Sequence, residues 1–67
     1  MGYNLKKIRE ERGLTQGELA KLSGISRVTI NRIENGMQRE IMVGNLNKLA
    51  DALGCSVSEL ISENFLD

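Results

Sequence analysis

QGELAKLSGISRVTINRIEN, residues 16–35, is the stretch of sequence on which the fold depends. Thr15 and Glu18 have the spacing of a capping box, which predicts that a helix begins just after Thr15. Gly24 predicts the end of that helix. A second helix is then expected over residues 26–34, because its first residue is a serine suited to the N-cap position. The stretch therefore predicts two short helices joined by a tight turn.

The residue types around this turn fit a helix-turn-helix, in which two helices cross closely and are joined by a turn that contains glycine. Ala20 supplies a small side chain at the crossing, and Gly24 tolerates the positive φ that the turn requires. Ile25, Ile30 and Ile33 are the apolar residues expected to face the core. Each of these alone is ordinary core composition, whereas their joint spacing is specific to the motif.

One more helix is expected before this pair and two more are expected after it. A first helix is predicted between Asn4, as its N-cap, and Gly13, near its end. A fourth is indicated by apolar residues at helical spacing from Leu46 to Leu53, with Asn45 as its candidate cap. A second capping box, over residues 56–59, predicts a short fifth helix. We therefore expect an all-α fold of five short helices, with residues 1–67 forming one domain.

Composition excludes most catalytic and metal chemistry. The 67 residues contain no His and a single Cys, so they provide neither a His-paired nucleophile nor the ligands of a zinc site. No apolar run approaches the roughly 18 residues of a membrane span. No glycine loop of the phosphate-binding kind is present, so we expect no enzyme activity and no cofactor. The sequence predicts a small cytoplasmic binding module.

The net charge of zero conceals a segregation of charge along the chain. Residues 1–39 contain eight basic and four acidic residues, a net charge of +4, whereas residues 40–67 contain one basic and five acidic residues, a net charge of −4. A basic half of a small domain is where a polyanion would bind. Uneven placement of solvated charges by chance is the alternative interpretation.

The third helix carries a polar face opposite its isoleucines. On a helical wheel with 100° per residue, Ile30 and Ile33 define the buried side. Arginine can bind guanine with two hydrogen bonds, asparagine can pair similarly with adenine, and valine can contact the thymine methyl group. The alternative is an ordinary solvated helix surface. The residues on this polar face are Arg27, Val28, Asn31, Arg32 and Asn35.

Two blocks of the chain, LKKIREERGLTQGELAKLSGISRVTINRIENG and LNKLADALGCSVSELI, resemble the Cro/C1-type helix-turn-helix family of phage and bacterial repressors, which is also called XRE-like. The resemblance extends from Leu5 to Ile61. It implies a lambda-repressor-like fold of five helices with the helix-turn-helix at helices 2 and 3. It also implies sequence-specific binding of double-stranded DNA by a small transcriptional regulator, expected to be a repressor, with helix 26–34 in the major groove.

The resemblance implies roles for individual residues. The expected base-reading residues are Arg27, Val28, Asn31 and Arg32. The expected phosphate contacts are Gln16, Thr29, Asn35, Arg9 and Arg39, of which Arg39 is the only basic residue in the loop after the third helix. Arg9 also matches a position that pairs with Glu34, and a purely structural ion pair is the alternative role for it. Lys6, Lys7, Arg12 and Lys21 are expected to be solvated charges.

The segment from Met37 to Asn45 departs from the family pattern, since it lacks the usual proline and basic residues. Its apolar run Ile41–Val43 is expected to pack on the core, to form a subunit interface, or both. Family members generally bind palindromic operators as homodimers. Such a dimer would form through helices 4 and 5, through the Ile41–Val43 loop, or through the tail that contains Phe65. An apolar lid on the core is an equal interpretation for Phe65.

A second class of function shares this fold. An antitoxin-type or adaptor domain would bind another protein rather than DNA. Arg27 and Arg32 discriminate between the two hypotheses, because DNA binding requires them and a protein complex formed elsewhere on the surface does not.

Overall fold

The computed structural model describes residues 3–38 and 40–61. Five helices follow one another within them, as predicted: α1 (Leu5–Glu11), α2 (Gln16–Ser23), α3 (Arg27–Glu34), α4 (Val43–Leu53) and α5 (Val57–Leu60). The described part of the chain contains no strand beyond an isolated antiparallel bridge between Tyr3 and Ile61. The predicted all-α, five-helix fold is confirmed. No helix among these five has both the length and the apolar character to cross a membrane.

Local signals set the ends of the central helices, as the sequence indicates. The Thr15 hydroxyl accepts a hydrogen bond from the Glu18 backbone N–H at 3.0 Å, and the Glu18 carboxylate accepts from the Thr15 N–H at 2.8 Å. Gly24 ends α2 with a φ of 77°, a value that side-chain-bearing residues rarely adopt. Ser26 then caps α3 by accepting from the Thr29 N–H at 3.2 Å. The turn of the helix-turn-helix is therefore specified by residues within it.

The capping box of α5 repeats this arrangement. Ser56 accepts from the Glu59 N–H, and the Glu59 carboxylate accepts from the Ser56 N–H at 2.8 Å. The hydrogen bond from the Ser56 backbone to the charged carboxylate lowers the pKa of Glu59 below its usual range.

All five helices contribute to one apolar core. The most buried side chains are less than 2% exposed and come from every helix of the described chain: Leu5, Leu19, Ile30, Leu49 and Leu60. The α2 helix packs against both α3 and α4. Full burial of a leucine or isoleucine stabilises the fold by about 1.5–3 kcal/mol relative to exposure. The core therefore fixes the inner face of α3 and leaves its opposite face turned outward.

The start of α4 differs from the prediction. The helix begins at Val43 with Met42 at the N-cap, and no side chain caps it, so Asn45 lies inside the helix rather than at its end. Ile41 is half-buried and packs on the core, but Met42 and Val43 are 78% and 70% exposed. The apolar run thus divides between core and surface.

Two polar side chains of the α1 region also have roles that the sequence did not indicate. Asn4 precedes α1 but makes no side-chain cap, and its Nδ2 instead donates to the Glu59 carbonyl oxygen at 3.2 Å. Arg12 is exposed, as predicted, but it also makes a contact that the sequence did not indicate, since its Nε donates to the Leu53 carbonyl oxygen at 2.8 Å. Cations are favourable at helix C-termini, so Arg12 stabilises the last turn of α4 from the end of α1.

Gly17 lies in the first turn of α2, and a methyl group at this position would meet only the Thr15 hydroxyl oxygen, at an ordinary 3.9 Å. Because glycine costs up to about 1 kcal/mol relative to alanine within a helix, Gly17→Ala should raise the free energy of unfolding by a few tenths to about 1 kcal/mol. Urea denaturation monitored by circular dichroism measures this change.

Gly24→Ala is the matched control. A methyl group at Gly24 also meets nothing within 4 Å, but the backbone φ there is +77°. The same substitution should therefore lower the free energy of unfolding, by about 1–2 kcal/mol. Equal effects of the two substitutions would contradict this account of α2.

Candidate nucleic-acid interface

The outer face of α3 is exposed along its whole length. All five residues predicted for this face are exposed: Arg27, Val28, Asn31, Arg32 and Asn35. The apolar Val28 among them is 65% exposed. Ile30 and Ile33, on the opposite side, are 0% and 3% exposed. The division of the helix that the wheel predicts is therefore present. The exposed Val28, which lies between Arg27 and Arg32 on this face, therefore gains little stabilisation from the apolar core.

The two arginines of this face have no acidic partner within residues 3–38 and 40–61. In this part of the chain, Arg9 is the only basic residue that forms ion pairs. Its partners are Glu34 and, at 4.0 Å, Glu10. Both guanidinium groups therefore keep their donors available for an external acceptor. A planar fork of donors matches the O6 and N7 acceptors of guanine in the major groove.

The first turn of α3 places a second hydroxyl beside its cap. The Ser26 hydroxyl donates to Thr29 Oγ1 at 2.9 Å while it accepts from the Thr29 backbone N–H. Since Thr29 Oγ1 acts as the acceptor, its own hydrogen is left to donate elsewhere. Thr29 is half-buried at the edge of the outer face. This geometry suits a hydrogen bond to a phosphate oxygen, which was predicted for Thr29.

The last turn of α3 joins two asparagines. Asn35 Nδ2 donates to Asn31 Oδ1 at 3.1 Å, and the Asn35 backbone N–H donates to the Asn31 carbonyl oxygen at 3.0 Å. The two residues are four apart, so their side chains are neighbours on the helix surface. The orientation of the Asn31 amide is thus tied to Asn35.

Behind the outer face, a buried ion pair connects α1 with the end of α3. Arg9 Nε donates to Glu34 Oε2 at 2.7 Å and Arg9 Nη2 donates to Glu34 Oε1 at 3.1 Å. The side chains of Arg9 and Glu34 are only 10% and 3% exposed. The hydrogen bonds to Glu34 raise the pKa of Arg9 above its already high usual value. The predicted pair between these residues is confirmed.

This pair extends to two further groups. Arg9 Nη1 donates to the Leu14 carbonyl oxygen at 2.6 Å, and Gln16 Nε2 donates to Glu34 Oε1 at 2.9 Å. Gln16, the first residue of α2, is therefore held by the last residue of α3. Its Nε2 carries a second hydrogen that this contact does not use. We name Arg9, Leu14, Gln16 and Glu34 the anchor network.

The anchor network affects two of the predicted phosphate contacts. Arg9 as a whole is 8% exposed, which leaves little of its guanidinium for direct contact with DNA. Gln16 is half-buried and positioned at the N-terminus of α2, where free backbone N–H groups and the helix dipole favour an anion. Arg39, the fifth predicted phosphate contact, lies outside the described residues.

Sequence reasoning missed two of these side-chain couplings. The spacing of four between Asn31 and Asn35 is a local signal that could have indicated their hydrogen bond. The contact from Gln16 to Glu34 spans 18 positions and crosses two helices, so no local pattern predicts it.

Comparison with known proteins agrees with this geometry. The family model described as helix-turn-helix, HTH_3, matches residues 5–60. This chain belongs to the HTH_3 family. It is therefore a DNA-binding helix-turn-helix domain of the type found in transcription regulators, as the resemblance to Cro/C1-type repressors implied.

Individual relatives differ in how much of their length the chain spans. The HTH-type transcriptional repressor RghR of Bacillus subtilis is 46% identical over 78% of this chain, but the chain spans only 38% of RghR. The control protein C.MunI of a Mycoplasma species is 38% identical, over 92% of this chain and 84% of its own length. The crystal structure of the restriction-modification controller protein C.AhdI from Aeromonas hydrophila superimposes with a TM-score of 0.78 at 36% identity, covering 84% of this chain and 83% of that one.

Removal of Arg9 should strongly destabilise the HTH_3 domain. Loss of one partner of a buried ion pair costs about 3–5 kcal/mol, because the other charge is left without compensation. A chain of this length has a total stability of roughly 3–10 kcal/mol. Arg9→Ala is therefore expected to remove about a third of this free energy of unfolding or more, as measured by urea denaturation.

Lys7→Ala is the matched control, since it removes the same charge from an exposed position of α1. It should change the free energy of unfolding by less than about 0.5 kcal/mol. The double variant Arg9→Met with Glu34→Leu should recover most of the stability, because it removes both charges together. A cost for Arg9→Ala no greater than that for Lys7→Ala would contradict the anchoring role.

Proposed function

We propose that this HTH_3 domain is a repressor that recognises a specific operator by inserting α3 into the major groove. The observation that supports this most directly is the outer face of α3, on which Arg27 and Arg32 have no acidic partner among the described residues. An exposed valine is mildly unfavourable in a helix, and contact with DNA would account for Val28 together with the two arginines beside it. The inner side of α3 is held by Ile30, Ile33 and the anchor network, so the outer face of the helix has a fixed position relative to α1 and α2.

Base recognition is assigned to four residues of α3. Arg27 and Arg32 supply donor pairs suited to guanine, and Val28 supplies a branched apolar surface suited to a thymine methyl group. Asn31 supplies both a donor and an acceptor. In helix-turn-helix proteins, the N-terminal residues of the second helix contact base edges, which agrees with the position of Arg27 and Val28 in the first turn.

Phosphate contacts are assigned to residues around this face: Gln16, Thr29, Asn35 and, in the loop after α3, Arg39. Gln16 keeps one amide hydrogen free beside the N-terminus of α2, and Thr29 keeps its hydroxyl hydrogen. For Arg9, whose burial limits direct contact, we propose that its effect on DNA is transmitted through Glu34 and Gln16. Such contacts fix the position of the domain on the duplex without selecting a sequence.

Operator binding by two copies is also part of the proposal. A single α3 contacts too few base pairs for selectivity, whereas a two-fold dimer would contact half-sites about 34–36 Å apart on a palindrome. The exposed Met42 and Val43 at the start of α4 are apolar surface that a homodimer could bury, together with α5. The predicted contribution of the tail with Phe65 lies outside the described residues. Repression itself is suggested by relatives such as RghR, whose name is that of a repressor.

Selection of a preferred site from random duplex DNA, followed by fluorescence anisotropy on that site, tests the proposal. Arg27→Ala and Arg32→Ala should each weaken binding to the preferred site roughly 5- to 150-fold, since a bidentate contact to guanine contributes about 1–3 kcal/mol of discrimination. Binding should also weaken steeply as the salt concentration rises. Selected sites should show two-fold symmetry.

Lys48→Ala, which removes a basic residue from the exposed surface of α4, is the matched control and should alter affinity little. The failure of wild-type protein to prefer any sequence over random duplex would overturn the proposal. So would equal losses from Lys48→Ala and Arg27→Ala. The adaptor or antitoxin-type function would be favoured instead by two results together. The wild-type protein would bind no DNA, and the Arg27→Ala, Arg32→Ala double variant would still bind a protein partner.

A further inference from the structure

The centre of the outer face of α3 is apolar, although every other residue of that face is polar. Val28 lies about 170° around the helix from the middle of the inward side, which Ile30 and Ile33 define. Its side chain is 65% exposed. Valine is a poorer helix former than alanine or the unbranched polar residues, so neither helix formation nor core packing accounts for it here. Contact with an apolar group of a ligand would account for it.

In the major groove of DNA, one kind of apolar group is available to such a side chain. The edges of guanine, adenine and cytosine present hydrogen-bond donors and acceptors there, and thymine adds a methyl group at C5 to its O4 acceptor. The valine side chain has no hydrogen-bonding group, so this methyl group is the feature to which it responds. Val28 is therefore not suited to distinguish thymine from another pyrimidine that has a methyl group at C5.

5-Methylcytosine is such a pyrimidine, and it pairs with guanine instead of adenine. The neighbours of Val28 on the helix surface, three and four residues further along, are Asn31 and Arg32. Asparagine is suited to adenine, and arginine is suited to guanine. Arg32 has no acidic partner among the described residues that would compete for its guanidinium group. Either base pair with a methylated pyrimidine would therefore meet a suitable side chain beside Val28.

We propose that Val28 recognises the C5 methyl group of a pyrimidine rather than the base that carries it, so that the domain binds 5-methylcytosine in place of thymine at one position of each half-site. This inference rests on the proposed function, since it concerns a base pair that α3 contacts. It has a regulatory consequence. An operator with cytosine at this position gains affinity for the domain when that cytosine is methylated at C5, so DNA methylation controls its occupancy.

Two comparisons isolate the methyl group from hydrogen bonding. Thymine and uracil present the same O4 acceptor in the major groove and differ only in the methyl group, and 5-methylcytosine differs from cytosine in the same way. Burial of one methyl-sized group changes an equilibrium constant by roughly fourfold. The affinity ratio should therefore be similar in the two comparisons, whereas recognition of thymine through its O4 atom would give no effect in either.

The experiment measures affinities of the full chain by competition anisotropy, beginning from the operator selected from unmodified DNA. Thymine is replaced by uracil at one position at a time in one half-site, and one of these replacements should weaken binding roughly two- to fivefold. At that position, the T·A pair is then replaced by a C·G pair with and without a methyl group at C5 of the cytosine. The methylated operator should bind roughly two- to fivefold more tightly than the unmethylated one.

Two protein variants assign the effect to Val28. Val28→Ala removes the branched apolar surface and should bring both ratios, thymine to uracil and 5-methylcytosine to cytosine, close to one. Leu22→Ala is the matched control, since it truncates another exposed apolar side chain, 62% exposed on α2, and it should leave both ratios unchanged. Ratios measured within one variant are unaffected by partial unfolding, which lowers the active fraction equally for every DNA sequence.

Several outcomes would overturn the inference. If uracil weakens binding at no position, or if both ratios persist in Val28→Ala, Val28 recognises no methyl group. If uracil weakens binding but 5-methylcytosine binds no better than cytosine, the domain recognises thymine itself. These results leave the proposed function in place as long as wild-type protein selects a site and Arg27→Ala weakens binding to it. If wild-type protein selects no site, both the proposed function and the inference fall.

Discussion

The buried contact between Arg9 and Glu34 is the interaction on which the arrangement of the helix-turn-helix depends. Charges with side chains 10% and 3% exposed are stable only when each has its partners in place. The pair is completed by the Leu14 carbonyl and by Gln16, so α1, the α1–α2 connection, α2 and α3 all contribute. Displacement of α1 or α3 would separate the two buried charges, and displacement of Leu14 or Gln16 would remove one of their hydrogen bonds. These requirements fix the relative positions that apolar packing alone would leave adjustable.

The outer face of α3 follows from this constraint together with the turn at Gly24. Apolar packing at Ile30 and Ile33 determines which side of α3 faces inward, and Glu34 fixes its last turn against α1. The backbone positions of the residues on the outer face are therefore set before any ligand arrives. Preorganisation of this kind lowers the entropic cost of binding. The segregation of charge agrees with the proposal that the outer face of α3 meets DNA, because both arginines of this face belong to the basic half of the chain. The acidic half follows α3.

The parts of the fold that the sequence predicted are those with local causes. The ends of α2, α3 and α5 depend on hydroxyl caps and on glycine, whose effects act within a few residues, and the exposed face of α3 follows from helical periodicity. The start of α4 was misplaced because Met42 provides no side-chain cap, so no local signal in the sequence marks where the helix begins. The hydrogen bond of Arg12 was not predicted for a related reason, since the carbonyl it contacts lies 41 residues away. Pairings between side chains on different helices, such as Gln16 with Glu34, depend on the finished tertiary structure and leave no pattern in one sequence.

The last turn of α3 combines two functions in adjacent residues. Successive residues of a helix point about 100° apart, so Glu34 faces the interior while Asn35 faces outward. A change at Glu34 would shift the whole helix and its outer face together, whereas the Asn35 side chain bonds to the Asn31 side chain, one turn back on that outer face. The position of the helix and its proposed contacts with DNA therefore depend on different side chains of the same turn. Because interaction energies at sites without shared partners are close to additive, substitutions on the outer face of α3 should leave the anchor network that holds the helix intact.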